Sequence, residues 1–370
     1  MKVICDRAAL LDAVNVVAGV VASRTPSHIL QCMKITAFGG TMVIAATDTE
    51  VGLRVGVDQV DIEEEGEVLV PADKLVQIIR SSSDPTVTLQ NDDHTLQIIA
   101  GHSQFKVFGY DPREAPEIRD FSDATVDCEV PAGVLQRLIG RTLFAAASEH
   151  SRYAINGVLF DRDGKKIRMV ATDGRRLAVA IGECTTAEDK SSCIIPAKAL
   201  NVLNKLVDEP DAPVRIAIEE SEIILAVGDG PDAAVLSSSL VEGAFPPFED
   251  VIPKDQDKRV RFDAQQLSVA IKQAALLTNE ESKGVRLSFT SERLTLSSRA
   301  PELGEAMVEI DLEKYEGDPL DIGFNPGYIV DALKVVDSDE VMVELKAPNK
   351  PGVIRTGADF TYVLMPVNLS

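Results

Sequence analysis

A strand that runs into a proline and then into a helix occurs three times in this chain. The copies are Val68-Leu69-Val70-Pro71-Ala72-Asp73-Lys74-Leu75, Cys193-Ile194-Ile195-Pro196-Ala197-Lys198-Ala199-Leu200 and Ile322-Gly323-Phe324-Asn325-Pro326-Gly327-Tyr328-Ile329. Pro196 follows Pro71 by 125 residues, and Pro326 follows Pro196 by 130. A proline is well placed in a helix's first turn, where its missing N–H would have had no partner. A second signature has the same spacing. Val43-Ile44-Ala45-Ala46-Thr47-Asp48-Thr49-Glu50-Val51 is echoed, 125 residues on, by Met169-Val170-Ala171-Thr172-Asp173-Gly174-Arg175-Arg176-Leu177-Ala178-Val179. Asp-Gly between apolar runs predicts a hairpin with a two-residue turn, since both residues tolerate positive φ. A period this long marks a domain rather than a solenoid turn.

Each repeat opens on a short β-like run followed by an amphipathic helix, predicted over Arg7 to Val21, Gly133 to Ala147 and Ala264 to Thr278. Leu10, Val14, Val17 and Val21 recur at helical spacing, as do Leu135, Leu138 and Ile139, and Leu267, Ile271 and Ala274. Hairpin regions follow at Ile29 to Val57, Asn156 to Ile181 and Gly284 to Ile310. Period-two alternation in Arg286-Leu287-Ser288-Phe289 reads as strand. The expected unit is β-α-β-β-β-β-α-β-β-β, giving an α+β chain of three domains at 1–122, 127–252 and 257–370. Antiparallel sheets with two helices per unit leave one sheet face for the helices. Edge strands of three units in series can pair into an arc, and two arcs meeting head to tail close a ring of six units.

The charge balance bears on partners. The 370 residues carry a formal net charge of −22, which argues against a simple nucleic-acid binder. Any contact with phosphate must come from a local basic patch. The helices supply candidates on the sides opposite their apolar stripes: Arg137 and Arg141, Lys198 and Lys205, Lys272 and Lys334. Lys74 and Arg80 flank the stripe of the first repeat's second helix, while Asp12 and Asn15 face outward on its first. If all these helices line one side of an arc, that side attracts backbone phosphates without reading bases.

Catalysis finds no support. His28, His94, His102 and His150 have no partner at metal-ligand spacing, and neither a glycine-rich phosphate loop nor a nucleophile elbow is present. Cys5, Cys32, Cys128, Cys184 and Cys193 form no CxxC pair, so buried reduced thiols are expected, with no metal and no cofactor. No apolar run approaches the roughly 20 residues of a membrane span. Acidic residues come too early for a signal peptide, so a cytoplasmic protein is expected.

The threefold repeat, the block Ala171-Thr172-Asp173-Gly174-Arg175-Arg176-Leu177-Ala178 and the ending Tyr362-Val363-Leu364-Met365-Pro366-Val367 together resemble the bacterial DNA polymerase III β-subunit family of sliding clamps. The resemblance covers essentially the whole chain. It implies a head-to-tail homodimeric ring of six similar domains that encircles double-stranded DNA at the nucleoid. Such a ring is not an enzyme. A clamp loader opens it, and it tethers the DNA polymerase III α subunit and other proteins carrying a clamp-binding peptide.

The resemblance places a hydrophobic peptide pocket between the second and third domains. It would include Arg152, Ile155, Thr172, Gly174, Arg175, Arg176, Leu177, Pro246, Val251, Val363, Leu364, Met365 and Pro366, with Arg152 and Arg176 hydrogen-bonding the peptide. Ala154, Arg175 and the acids Glu249 and Asp250 depart from the family's usual residues there. DNA contact is implied at Arg24, Lys74, Tyr153 and Lys198, with acidic Glu149 beside the track. The dimer contact would join Phe105 and Val107 of the first domain to Leu276, Leu277, Glu302 and Glu305 of the third. A peptide-binding scaffold of this fold that does not encircle DNA is the competing reading, and loading onto circular DNA separates the two.

Overall fold

The computed structural model describes residues 1–22, 24–147, 155–185, 189–207, 209–228, 230, 233–278 and 284–368. Two compact units are present: Met1–Gln136 with Cys184–Leu240, and Arg137–Glu183 with Val241–Ser370. Every strand pairing described below is antiparallel.

Six α-helices occur among the described residues, two per repeat. They are α1 (Arg7–Val17), α2 (Ala72–Ser81), α3 (Ala132–Thr142), α4 (Ala197–Leu206), α5 (Ala264–Ala274) and α6 (Pro326–Leu333). The start of α1 is capped by the Asp6 carboxylate, which accepts from the N–H groups of Ala8 (2.9 Å) and Ala9 (3.0 Å). Asp263 does the same for α5 through Gln266 (2.6 Å), and Asn325 for α6 through Gly327 (2.9 Å). Of the three repeated prolines, only Pro326 is a first-turn residue. Pro71 and Pro196 are N-caps with extended backbone, ψ 122 and 140. They still start the helix, because φ is fixed and no N–H is lost to the ladder.

The first helices end a turn earlier than the apolar spacing predicts. α1 stops at Val17, and α3 and α5 tighten into 3-10 turns at Leu143–Ala145 and Ala275–Leu277. Last-turn carbonyls find local partners instead: Ala18 N–H donates to Val14 O (2.9 Å) and the Ser298 hydroxyl to Ala274 O (2.6 Å). In α1 the buried row is Leu10, Val14 and Val17, continued beyond the helix by Val20 rather than Val21.

The first unit holds two sheets. One runs Val60–Glu64, Lys2–Asp6, Thr86–Asp92, Thr95–Ala100, Ser103–Phe108. The other runs Cys128–Pro131, Pro213–Ile218, Glu222–Val227, Ala234–Ser239, Val51–Val57, Thr41–Thr47, Cys32–Phe38, Gly66–Pro71. Its centre joins two repeats: the last strand of the middle repeat pairs with the first repeat's Val51–Val57, in the register Leu236↔Leu53 and Ser238↔Val51.

The second unit repeats that device. Gly157–Asp163, Lys166–Thr172 and Arg176–Glu183 continue into Phe360–Leu364, Gly352–Thr356, Glu340–Leu345, Lys258–Asp263 and Tyr315–Glu316. Here the chain's last strand pairs with the middle repeat through Arg176↔Leu364, Leu177↔Val363 and Ala178↔Tyr362. A separate sheet runs Gly304–Asp311, Arg293–Ala300, Val285–Phe289, Leu320–Phe324.

The middle repeat follows the expected β-α-β-β-β-β-α-β-β-β order. The outer repeats each insert one strand, Val60–Glu64 and Tyr315–Glu316. Both are short, and the inserted strand Val60–Glu64 carries Asp61, Glu63 and Glu64, a charged sequence whose alternation is not read as strand.

Candidate functional site

The repeated Thr-Asp hairpin is not a two-residue turn. Thr172 pairs with Leu177, leaving four residues between them, and of these Gly174 has a positive φ (84°). The Asp173 carboxylate builds the turn by accepting from the N–H groups of Arg175 (2.9 Å) and Arg176 (3.0 Å). The Thr172 hydroxyl donates to Arg176 O (2.7 Å) and accepts from Gly174 N–H (3.1 Å). The first repeat matches this bond for bond. The Asp48 carboxylate accepts from Glu50 (3.1 Å) and Val51 (2.8 Å), and the Thr47 hydroxyl donates to Val51 O (2.9 Å). Thr49 stands at the left-handed position with φ 83°.

Strand parity divides the junction in the second unit into two faces. The pairs Arg168↔Ile181, Val170↔Val179, Thr172↔Leu177 and Leu177↔Val363 put these side chains on one face. Arg176, Ala178, Tyr362 and Leu364 fall on the other. Leu177 and Val363 are buried, 3% and 1% exposed, and form an apolar floor. Met365 follows at 40% exposure, its N–H held by Arg175 O (2.9 Å). An open cavity of about 670 Å³ lies beside it, lined by Arg286, Asp321, Ile322, Asn349, Met365 and Pro366 among others.

The segment holding Pro246 and Val251 is tied to the same face by Arg168. Its guanidinium lies 5.6 Å from the Phe248 ring and bonds Glu249 (2.6 Å) and Asp161 (Nε, 2.8 Å). Burial opposes the charge, but these two carboxylates outweigh it and raise the Arg168 pKa. Phe245 stacks edge-on against Phe248 at 6.3 Å. Pro246 is half-buried and Val251 is 49% exposed. Ile155 is buried, with its carbonyl accepting from Ala147 N–H (2.9 Å).

Arg176 does not present a free guanidinium to a peptide. Its side chain is 11% exposed and lies on the face away from Leu177. Nε donates to Asp173 (3.0 Å), one terminal nitrogen to Asp331 (2.9 Å) and the other to Phe144 O (2.7 Å). The rings of Tyr328 (4.3 Å) and Phe144 (5.4 Å) sandwich it. Burial acts against its charge, yet the Asp331 bond and its other partners raise its pKa overall. Tyr362 lies beneath, fully buried; burial pushes its phenol well up, and its hydroxyl donates to Tyr328 O (3.0 Å). The guanidinium therefore locks the hairpin to α6 and positions the floor. Arg175 and Gly174, by contrast, are exposed at the turn.

Sequence reasoning missed Arg168, Phe248, Tyr328 and Asp331. Arg168 was findable, since it shares strand parity with Val170 and Thr172. Asp331 and Tyr328 reach the hairpin only through tertiary packing. Arg152 and Tyr153, with Ala154, Glu149 and His150, lie outside the described residues.

The candidate DNA-facing cations divide by what they touch. Arg24, Arg137 and Lys205 are exposed, and Lys74 is 58% exposed beside Asp73 (3.1 Å). α1 packs against both α2 and α4, which puts Lys74, Lys198 and Lys205 on helices sharing a neighbour. Lys198, however, is engaged: it donates to Val20 O (2.9 Å) and pairs with Asp48. Arg141 corrects the sequence reading outright. It is 4% exposed, bonds Asp337 and Asp359 (2.9 Å each) and lies 5.5 Å from the Phe360 ring. Its i+4 spacing from exposed Arg137 hid this, because Asp337, Asp359 and Phe360 cover Arg141 only through tertiary packing.

Of the expected dimer residues, Val107 is buried (8%) and belongs to the sheet's own core opposite Leu96. Phe105 and Leu277 are half-buried, while Leu276 is 77% exposed and Glu302 and Glu305 are exposed. Ser103–Phe108 is an edge strand, as its alternation suggested. Among the described residues no group of three or more His, Cys, Asp or Glu could hold a metal ion, and no helix is long and apolar enough to cross a membrane.

Comparison with known proteins adds an independent line. Residues 1–119, 129–247 and 249–368 match, in order, the N-terminal, central and C-terminal domain models of the DNA polymerase III beta subunit. The beta sliding clamp of Pseudomonas putida is 33% identical over 98% of this chain and 99% of its own length. That of Escherichia coli K12 is 31% identical over the full length of both. Among solved structures, a Pseudomonas aeruginosa sliding clamp bound to griselimycin superimposes over both whole chains with TM-score 0.92 and 33% identity. A Bacillus subtilis DNA polymerase sliding clamp does so with TM-score 0.91 and 27% identity.

Proposed function

The chain belongs to the DNA polymerase III beta-subunit family, and from that premise we infer how it works. It is a sliding clamp: a non-catalytic processivity factor that encircles duplex DNA and tethers the replicative polymerase. The observation that carries this reading is the full-length match of three successive clamp repeats, with none missing. Two copies close the ring head to tail, and a clamp loader opens it. The repeats, taken as 1–122, 127–252 and 257–370, supply six domains per ring. Residence in the cytoplasm at the nucleoid follows from the same role.

DNA is held by charge and topology rather than by base readout. Arg24, Lys74 and Lys205 in the first unit and Arg137 in the second are the exposed cations offered to phosphate, Tyr153 is assigned to DNA contact by the family resemblance, and Lys198 and Arg141 are each held by ion pairs instead. A net charge of −22 repels DNA from the rest of the surface, so the ring holds by enclosure while sliding freely. Partner peptides dock on the Leu177–Val363 floor with Thr172, Gly174, Arg175, Met365, Pro366, Pro246, Val251, Ile155 and Arg152 around it, while Leu364 packs on the opposite face and only supports the strand. The floor accepts aliphatic and aromatic side chains, and exposed Met365 is the adaptable wall.

Loading tests the enclosure. Protein loaded by a clamp loader onto nicked circular DNA should co-elute with the DNA in gel filtration and should be lost when the DNA is linearised. Equal retention on both forms would instead support a scaffold that does not encircle DNA.

A further inference from the structure

The two units build the same strand junction and fill it differently. In the second unit Leu177 faces Val363 across the joined strands; in the first, Gly52 faces Ser237 at the matching register. That place is covered by the protein's own chain. Ile118, in the segment between the first and middle repeats, lies so close over Gly52 that an added Cβ would come within 2.8 Å of it. Phe121, three residues on, is 7% exposed and packs on Ala217, Ile224 and Ala226. The first unit therefore has no copy of the Leu177–Val363 floor.

Further along the same face the contrast reverses. The registers put Val43 where Arg168 stands and Thr36 where Asp161 stands. In the second unit Arg168, braced by Asp161, draws the Phe248 ring and the Glu249 carboxylate onto the sheet. Val43 and Thr36 carry no charge and draw neither. In the first unit the matching place is an open cavity of about 730 Å³, between this face and the segment 112–118. Ligand sites span roughly 300–1,000 Å³. Lys34, Arg54 and Arg113 line it against one acid, Glu117, a cationic balance in a chain of net charge −22. Phe38 also lines it and is 48% exposed.

We propose that this cavity is a second peptide site, which takes a short acidic segment of a partner protein bearing one aromatic side chain. The ring enters over Thr36 and Val43 and meets Phe38 edge-on or offset. The carboxylates bind Arg54 and Arg113, whose planar guanidinium groups suit paired carboxylate contacts. Those arginines now pair with Asp120 and Asp111 at 2.5 Å each, and ion pairs that reach solvent exchange at little cost. Two observations choose this occupant. In the second unit an aromatic and an acid, Phe248 and Glu249, fill the matching place, and in the first unit the charge balance of the lining favours acids. A purely aliphatic peptide gains nothing from the arginines, so the two sites select different segments, and one chain can hold both at once.

The probe is a fluorescein-labelled peptide copying residues 245–251 of this chain, Phe-Pro-Pro-Phe-Glu-Asp-Val, titrated with the full-length protein by fluorescence anisotropy. Val43→Glu, which sets a carboxylate in the cavity, and Thr36→Trp, which fills it, should each weaken binding about tenfold. Arg113→Gln, at an exposed position that tolerates replacement, should weaken it about threefold. A probe with Gln-Asn in place of Glu-Asp should bind more weakly to the parent and lose nothing further in Arg113→Gln. Met365→Ala, beside the other site, should leave the affinity unchanged. Circular dichroism checks the fold of each variant, and Arg113→Gln keeps the test decisive if the cavity variants misfold. The proposal is overturned if the parent shows no saturable binding, if Arg113→Gln binds both probes as the parent does, or if Met365→Ala abolishes binding, which would put the probe on the Leu177–Val363 floor.

Discussion

Replacing Arg176 by methionine keeps the stem and removes the charge. The structure says what is then left. Asp173 and Asp331 lose a cation at 3.0 and 2.9 Å, the Phe144 carbonyl loses its donor at 2.7 Å, and two rings lose a sandwiched guanidinium. Two charge-assisted bonds at about 1.5–3 kcal/mol each and ring contacts of about 1 kcal/mol set the scale. Asp331 is 34% exposed and regains water, so the expected loss is about 3–5 kcal/mol, as for breaking a buried pair. That is a large share of the roughly 5–15 kcal/mol holding a domain. The chain has no tryptophan, so urea unfolding followed by far-UV circular dichroism is the assay. The midpoint should fall with the slope unchanged. A loss under about 1 kcal/mol together with much weaker peptide binding would refute the reasoning, and would return Arg176 to the role of direct peptide donor.

Met365→Ala should weaken a hydrophobic clamp-binding peptide about tenfold in a fluorescence titration while leaving thermal unfolding unchanged, since the side chain is 40% exposed before binding. Lys205→Ala should reduce the salt slope of DNA binding by about one, whereas Lys198→Met should leave that slope nearly unchanged and lower stability, because Lys198 already serves Asp48 and Val20. Arg141→Met should cost about 1–3 kcal/mol in the unfolding assay with no change in DNA affinity. Burial pushes the Cys5 and Cys193 thiols from 9.0 up to about 12. These acids are held neutral in the fold, so the stability they confer is intact below about pH 9 and is lost as pH rises towards 12. Iodoacetamide at pH 8 should leave both unmodified until the protein is unfolded.

What could be read from the sequence follows from what is local. The repeat period, the strand-proline-helix signature and the Thr-Asp turn are each set within a few residues, so the three-domain plan and the hairpins were legible. Gly174 and Thr49 share one backbone conformation, and the turn depends on the aspartate carboxylate rather than on the glycine that first marked it. The fate of the basic residues was not legible. Arg137 and Arg141 look alike on a helical wheel, yet Arg137 is exposed and Arg141 is buried under two carboxylates from residues 337 and 359. The family resemblance implies Arg176 as a peptide donor next to Leu177, but alternation along the strand sends these neighbours to opposite faces.

The exchange of last strands between repeats has a consequence for how the protein is made. Phe360 pairs with Ala180, about 180 residues earlier, and Ser238 with Val51, at a similar separation. At roughly 5–20 residues per second of synthesis, Arg176–Glu183 spends on the order of 10–40 s outside the ribosome before its closing strand exists. During that interval a strand rich in buried alanine and valine is an open template. A cell making this chain must shield that nascent edge until Phe360–Leu364 has emerged, and ribosomes stalled just short of Phe360 would release the species most prone to aggregate.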